Sequence, residues 1–222
     1  MPHYYVESDG QVFLVDDGRR LRFPESEQEM DFEIVILREM KVDGEPVLYC
    51  KPILEDHPYD WLNKDRIPLL DRVDPIVHGA INASLPRIVV EAIVRQGDQI
   101  LLVKPKRGVN RGRWTLPGGF LTYGEPPEAG VLRELEEEVG VRGRVERLLG
   151  LKSGIGHWNY YLWCMLFYEV GLESEQFRPA PDEIEAVRWF PFDEAIEIID
   201  NVMIQDKLME LYETERSQAQ DR

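Results

Sequence analysis

The sequence predicts a mixed α/β protein whose N-terminal part is rich in β-strands. Two turn signals there, Asp16-Asp17-Gly18-Arg19 and Asp43-Gly44, stand between apolar runs, as in β-hairpins. Further on, β-branched runs give way to amphipathic segments, and the clearest helical pattern lies between Pro126 and Gly140. The 222 residues suffice for one large domain or two small ones. The expected divisions are a β-rich N-terminal domain (1–85), a second domain (86–214) and a polar tail (215–222).

Composition and charge exclude several classes of protein. The formal net charge is −16, which argues against a general binder of nucleic-acid backbones. Two cysteines, Cys50 and Cys164, are too few for a disulfide framework or a four-cysteine zinc site, and buried free thiols are expected. No signal peptide is visible at the start, and the longest apolar run, Tyr160 to Tyr168, is too short to cross a bilayer. We therefore expect a soluble cytoplasmic protein with no nucleic-acid or membrane partner.

The other predicted elements follow from local patterns. Prolines between residues 52 and 86 indicate extended or turn-rich chain. A third hairpin is expected around Gly97-Asp98, and a tight glycine turn at Gly118-Gly119. The predicted strands are 87–95, 99–104, 114–117, 144–151, 160–170 and 184–190; a loop is expected over 152–159, and helices over 192–200 and 202–214.

The helix after the glycine pair has well-defined ends. Pro126 and Pro127 suit its first turn, where a missing N–H costs nothing, and Gly140 suits a left-handed position just past its end. Leu132, Leu135 and Val139 recur at helical spacing, and we expect them to form the buried face. Gly130 interrupts this helix at a cost of about 1 kcal/mol, which indicates close backbone packing there.

The acidic residues of this helix predict a metal site. Glu134, Glu137 and Glu138 stand at i, i+3 and i+4, so their side chains share one face and repel one another. A cluster of carboxylate oxygens is what a hard cation such as Mg²⁺ or Mn²⁺ requires. Arg133, four residues before Glu137, is placed to hold a carboxylate by a bidentate bond. A solvated, glutamate-rich helix face would show the same spacing.

The full spacing identifies the chain as a member of a known superfamily. From Gly119, five residues lead to Glu125, seven more lead to Arg133, and the run Arg-Glu-Leu-x-Glu-Glu-x-Gly-Val then ends at Val141. This pattern resembles the Nudix box at every defined position, and the wider resemblance covers about residues 86 to 213. It implies an α/β/α sandwich with a mixed sheet. It also implies a hydrolase that cleaves nucleoside diphosphates linked to another moiety, by attack of water on phosphorus.

The resemblance also implies roles for particular residues. Its metal ligands, for Mg²⁺ or Mn²⁺, are the backbone carbonyl of Gly118 and the side chains of Glu134, Glu137 and Glu138. Arg133 would orient these glutamates, and Glu125 would tether the loop to the helix. The general base is either Glu137 or an acid outside the box. In the relatives that resemble NADH pyrophosphatases, the acid three residues before the equivalent of Trp189 is a metal ligand. Ala186 occupies that position here, so the role passes to Glu183 or Glu185, or is absent.

Contacts to the substrate are predicted from charge and aromatic character. The segment from Lys104 to Arg113 concentrates positive charge just before the box, so Lys104, Arg107 and Arg113 are candidates to contact phosphate. A solvated basic loop is the alternative. Trp158 and Tyr160 are candidates to stack on a nucleobase, or else belong to the core.

The substrate class remains open at this level. The order of a β-rich part before the Nudix domain resembles NADH pyrophosphatases, but the four-cysteine zinc ribbon is missing. A small nucleotide is expected, either ADP-ribose, NADH or a nucleotide sugar. The alternative is a catalytically silent sensor that binds a ligand similar to ADP-ribose. Residues 1–85 are expected to form a homodimer contact or to cover the substrate pocket.

Overall fold

The computed structural model describes residues 2–156 and 160–220, with side chains described to residue 217. The chain forms two compact units. The N-terminal unit consists of the described residues of Met1–Pro86 and Ile155–Leu162, and the C-terminal unit of those in Arg87–Gly154 and Trp163–Arg222. Among the described helices, none is long and apolar enough to span a membrane.

A five-stranded sheet forms the centre of the N-terminal unit, in the order β5-β6-β1-β2-β7, and β3 and β4 pair separately. The predicted hairpin at Asp43-Gly44 is confirmed, because β5 and β6 pair antiparallel and both turn residues have positive φ. The strands are β1 (His3–Ser8), β2 (Gln11–Val12), β3 (Val15–Asp16), β4 (Leu21–Arg22), β5 (Glu33–Val42), β6 (Glu45–Ile53) and β7 (Leu62–Asn63).

The first predicted hairpin is much shorter than expected. Only β3 and β4 pair across Asp17-Gly18, because Gln11 and Val12 pair with β1 and β7 instead. Helix α1 (Pro75–Ser84) lies in a region expected to be extended or turn-rich, and that prediction was wrong there. The Asp74 side chain accepts a hydrogen bond from the Ile76 backbone N–H (3.1 Å) and caps the helix, while Pro75 occupies its first position.

The C-terminal unit contains two sheets. The first has the order β11-β8-β13-β12 and is mixed, since β8 pairs parallel with β13 and antiparallel with β11; the second has the order β14-β10-β9. The strands are β8 (Arg87–Ile93), β9 (Arg95–Gln96), β10 (Gln99–Pro105), β11 (Gly118–Phe120), β12 (Gly143–Ile155), β13 (Leu162–Leu172) and β14 (Ile184–Pro191). The helices are α2 (Pro127–Val139), α3 (Phe192–Ile198) and α4 (Val202–Gln220).

Helices cover both faces of these strands. Val90 of β8 lies in one core cluster with Leu135 and Val139 of α2, whereas Val89 lies in a second cluster with Leu208 of α4. Adjacent residues of a strand point to opposite faces, so the two clusters are the two sides of an α/β/α arrangement. The predicted mixed α/β class, with a β-rich part before it, is confirmed.

Several bounds differ from the predicted ones. The third hairpin consists only of β9 and β10. Strand β8 does not take part in it; it is an inner strand of the other sheet, buried on both faces and paired with β11 and β13. Strand β12 continues to Ile155 into the expected loop, and α4 continues to Gln220, past the expected end at residue 214. Both cysteines are free thiols, with Cys50 buried and Cys164 half-buried.

Candidate active site

The glycine pair before α2 is extended rather than a turn. Gly118 and Gly119 belong to strand β11, neither has positive φ, and the expected strand over 114–117 is reduced to a single bridge at Thr115. Their lack of a side chain permits close approach. A Cβ on Gly118 would lie 2.2 Å from the carbonyl oxygen of Val90, and one on Gly119 would lie 2.5 Å from the carboxyl carbon of Glu134. Glycine is needed here for space, not for backbone conformation.

The register of β11 turns the backbone of Gly118 away from β8. Backbone bonds join Ala92 N to Pro117 O (2.8 Å) and Leu121 N to Ile88 O (3.3 Å), on either side of Gly118. In an antiparallel ladder this leaves Gly118 and its partner Glu91 as a non-hydrogen-bonded pair. Both the N–H and the carbonyl of Gly118 therefore point to the open edge of the sheet. The N–H donates to Oε2 of Glu138 (3.0 Å), and the predicted ligand carbonyl lies on that same edge.

Helix α2 begins and ends where the sequence indicates. Pro126 is extended ahead of Pro127, and Gly140 is left-handed, with φ 72°. The buried face contains the expected Leu135 and Val139, while Leu132 is only partly buried. Gly130 is packed as closely as expected, since a Cβ there would lie 2.4 Å from Cδ2 of Leu121. This packing holds the acidic face of α2 against β11.

Arg133 connects the carboxylates of this face. Its guanidinium donates two bonds to Glu125 (2.9 and 3.0 Å), one to Glu134 (2.8 Å) and one to Glu137 (3.1 Å). It also donates to the carbonyl of Phe120 (3.0 Å), which fixes the end of β11. The hydrogen bonds from Arg133 lower the pKa of Glu125 to about 2. These contacts are those expected of a positioning residue.

Burial raises the pKa values of the carboxyl groups closest to β11. The pKa of Glu138 rises to about 8, chiefly because the group is buried; the Gly118 N–H opposes this rise, and Glu134 and Glu137 add to it. Burial also raises the pKa of Glu134, against the opposing effect of Arg133. These carboxyl groups are difficult to ionise in the free protein because they are buried and close to one another. A bound cation would stabilise their charged form, so the site favours cation binding.

Glu91 joins this group, and sequence reasoning missed it. It is only 5% exposed, and its pKa is raised well above the ordinary range by burial and by the charges of Glu138 and Glu134. A signal was present in the sequence, because Glu91 is the one acidic residue in the apolar run from Ile88 to Val94. A lone acid in a strand buried on both faces is unusual without a partner or a function.

The carboxylate and carbonyl oxygens of this site are suitable ligands for a hard divalent cation, although the carboxylates are not close enough together to coordinate one as they stand. No three His, Cys, Asp or Glu side chains in the described part of the chain are grouped closely enough to enclose an ion. Arg133 contacts one oxygen of Glu134 and one of Glu137, which leaves the second oxygen of each carboxylate available to an ion. The oxygen donors and their shared negative charge fit Mg²⁺ or Mn²⁺.

The basic residues predicted to bind substrate phosphates all form ion pairs with acidic residues. In two of the three pairs the acidic partner is one of the predicted external bases. The ion pairs join Lys104 to Glu185 (2.9 Å), Arg107 to Glu183, and Arg113 to Asp200 (3.4 Å). Strand pairing explains two of these contacts, since β14 lies beside β10 and places Ala186 opposite Lys104. Glu183 and Glu185 are thus each paired with a basic side chain of the segment before the box.

Of the two aromatic candidates, the structure describes only Tyr160. Tyr160 packs against the core cluster of the N-terminal unit, and its backbone has positive φ (56°). Trp158 falls outside the described residues.

The fold and site define a class of α/β/α proteins in which a carboxylate-rich helix packs on a glycine-containing edge strand. The chain belongs to the family described as the NUDIX domain, whose model matches residues 85–212. The superfamily resemblance drawn from the box is thereby confirmed.

Curated relatives match this chain over part of their length. An ADP-ribose pyrophosphatase of Methanocaldococcus jannaschii is 41% identical over 68 residues, which cover 31% of this chain and 40% of that protein. An NAD-capped RNA hydrolase NudC of Pseudomonas syringae pv. syringae is 36% identical over 127 residues, covering 57% of this chain and 44% of the relative. The chain thus spans less than half the length of these two relatives.

A solved structure shows the same fold. The MutT protein from Methanosarcina mazei Go1 has a TM-score of 0.53 and 19% sequence identity, covering 60% of this chain and 96% of that one.

Proposed function

We propose that this protein is a metal-dependent pyrophosphohydrolase that cleaves the diphosphate linkage of a nucleoside diphosphate derivative by attack of water on phosphorus. One observation carries the proposal: the carboxylates of Glu134 and Glu138 are packed against Gly118 and Gly119 at an open sheet edge, and among the described residues no basic side chain pairs with Glu138. The family and the names of its relatives agree with this chemistry.

Glu134, Glu137, Glu138 and the carbonyl of Gly118 are the groups that would hold the ion. When bound, Mg²⁺ or Mn²⁺ neutralises phosphate oxygens and lowers the pKa of a coordinated water. The chain's own contribution is positioning. The Gly118 N–H fixes one oxygen of Glu138, and Arg133 keeps Glu134 and Glu137 on the same side of α2.

Glu137 is the general base that the contacts favour. Its side chain is half exposed and a single contact to Arg133 occupies one oxygen, so the other can accept a proton from water when Glu134, Glu138 and the Gly118 carbonyl hold the ion. Glu183 and Glu185 are engaged by Arg107 and Lys104. Each contact occupies one oxygen, as in Glu137, so what favours Glu137 is its place on the acidic face of α2. Substrate phosphates would release both acids by binding Arg107 and Lys104. Arg113 is proposed to assist the same phosphates.

The proposed substrates are ADP-ribose, NADH and nucleotide sugars, which share a diphosphate between a nucleoside and a second group. The test is a panel of these compounds with Mg²⁺ or Mn²⁺, extended to an NAD-capped oligonucleotide because of the name of one relative. Products are identified by mass. Release of a nucleoside monophosphate agrees with the proposal, whereas tight binding without turnover would indicate a sensor instead.

We also propose a homodimer formed through the N-terminal unit. Strand β5 is an edge strand of its sheet, and it exposes Val35 (46%), Ile36 (51%) and Leu37 (55%). Unpaired edges with apolar side chains favour pairing with another strand, and a second copy supplies an identical one. A cytoplasmic location remains a prediction.

Replacing Val35 and Leu37 together by lysine is expected to convert the dimer into monomer at micromolar concentration, because the charges repel across a two-fold contact. Light scattering coupled to gel filtration measures the mass. Leu69→Lys, at an 80% exposed position of the same unit, serves as the control and should remain dimeric. A monomeric wild-type protein at these concentrations would refute the proposed contact.

A further inference from the structure

One buried carboxyl group of the C-terminal unit has no role in the site as proposed. Glu91 lies within β8 and is 5% exposed. A carboxylate at that depth is unfavourable unless it is hydrogen-bonded or paired with a cation. Across residues 2–156 and 160–220 no hydrogen bond or ion pair to this group is found, and the charges that act on it, Glu138 and Glu134, have its own sign.

The position of Glu91 is set by strand pairing. It stands directly opposite Gly118, and its Oε2 lies 2.8 Å from the place that a Cβ of Gly118 would occupy. The N–H of Gly118 donates to Glu138 at 3.0 Å. Glu91 and Glu138 therefore approach the same glycine, from a neighbouring strand and from a helix. With any other residue at position 118, a side chain would fill the space beside Oε2 of Glu91.

We propose that Glu91 is a further carboxylate of the divalent-cation site at Gly118 and Glu138, bound to the ion directly or through one of its water molecules. The inference rests on the proposed function, since it assumes that the site binds a metal. It explains why an acid occupies a strand that is otherwise buried and apolar, and why the acid faces a glycine. The ion is the positive partner that the described residues do not supply to Glu91.

The test measures Mn²⁺ binding to the nucleotide-free protein by electron paramagnetic resonance of the unbound ion. Glu91→Gln keeps the size of the side chain and removes its charge. We expect this variant to bind Mn²⁺ about 10–100-fold more weakly, the loss typical of a supporting carboxylate. Glu136→Gln removes the same charge from an exposed position of α2, where Glu136 pairs with Arg142, and should change the affinity less than about 2-fold.

Thermal unfolding measured in the presence of a chelator shows whether Glu91 acts in the metal site or only stabilises the fold. Without metal, Glu91→Gln should unfold at the wild-type temperature or above it, because a buried ionisable group has been removed. Unfolding several degrees lower, or Mn²⁺ affinity equal to that of wild type, overturns the inference and makes Glu91 a structural acid. If wild-type protein binds no Mn²⁺, the proposed function itself fails; if wild type binds the ion and both variants bind it equally, only the role of Glu91 fails.

Discussion

Glu138→Gln is expected to lower turnover by roughly 10²–10³-fold, the loss seen when one preorganised electrostatic group is removed from an active site. The glutamine keeps the volume of the side chain, and its amide oxygen still accepts the hydrogen bond from Gly118. What it loses is the negative charge that would bind the proposed cation. Initial rates of nucleoside monophosphate release, measured over a range of Mg²⁺ concentrations, give the effect.

The fold of this variant should be retained. In the metal-free protein the pKa of Glu138 is raised from 4.5 to about 8, so wild type loses stability as pH rises through that interval. The Glu138→Gln variant lacks this loss and should be at least as stable as wild type at pH 8. Glu136→Gln on the exposed side of the same helix is the matched control and should turn over normally. Near wild-type rates in the Glu138→Gln variant would contradict the assignment of this carboxylate.

Gly118→Ala is expected to destabilise the protein by about 3 kcal/mol, the upper part of the range for overpacked sites. The new methyl group would lie 2.2 Å from the backbone carbonyl of Val90, so β11 must move away from β8. Gly118 has no positive φ, and the whole effect therefore comes from the steric contact. Urea unfolding gives the change in the free energy of unfolding. Activity should fall as well, because Glu138 follows the displaced strand.

Substitution of a second glycine serves as the control that separates the steric effect of an added methyl group from its effect on backbone conformation. Gly108 has φ of 79° and nothing within 4 Å of an added Cβ, so Gly108→Ala should cost about 1 kcal/mol through backbone conformation alone. A loss of stability at Gly118 no larger than that at Gly108 would contradict the close packing of β11 against β8.

Helix ends and tight turns could be predicted from the sequence, because they are determined by residues adjacent in the chain. Pro127 and Gly140 mark the ends of α2, and Asp43-Gly44 marks the β5–β6 turn, because each acts on the local backbone. The three glutamates of α2 are grouped by helical spacing alone. Capping likewise explains α1, but its signal at Asp74-Pro75 was hidden among prolines that favour an extended chain.

Features that depend on the pairing of strands distant in the sequence could not be predicted. The pairing of Gly118 with Glu91 joins segments that are far apart along the chain, so the glycines resembled a turn and Glu91 was overlooked. The ion pair between Lys104 and Glu185 likewise requires the register of β10 against β14. Periodicity predicts which residues share a face, but not which strand lies beside them.

The acidic face of α2 is proposed to bind a divalent cation that promotes hydrolysis of a diphosphate. Incubation of the purified protein with ADP-ribose, with Mg²⁺ or with chelator, tests this claim most directly when the products are resolved by mass spectrometry in ¹⁸O-labelled water. From ADP-ribose we expect AMP and ribose 5-phosphate with Mg²⁺ and not with chelator, with one ¹⁸O atom in one of the two phosphates. If another diphosphate of the panel is preferred, we expect its nucleoside monophosphate and the phosphate of its second group, labelled in the same way. Intact compounds throughout the panel after prolonged incubation with Mg²⁺ or Mn²⁺ would contradict the claim.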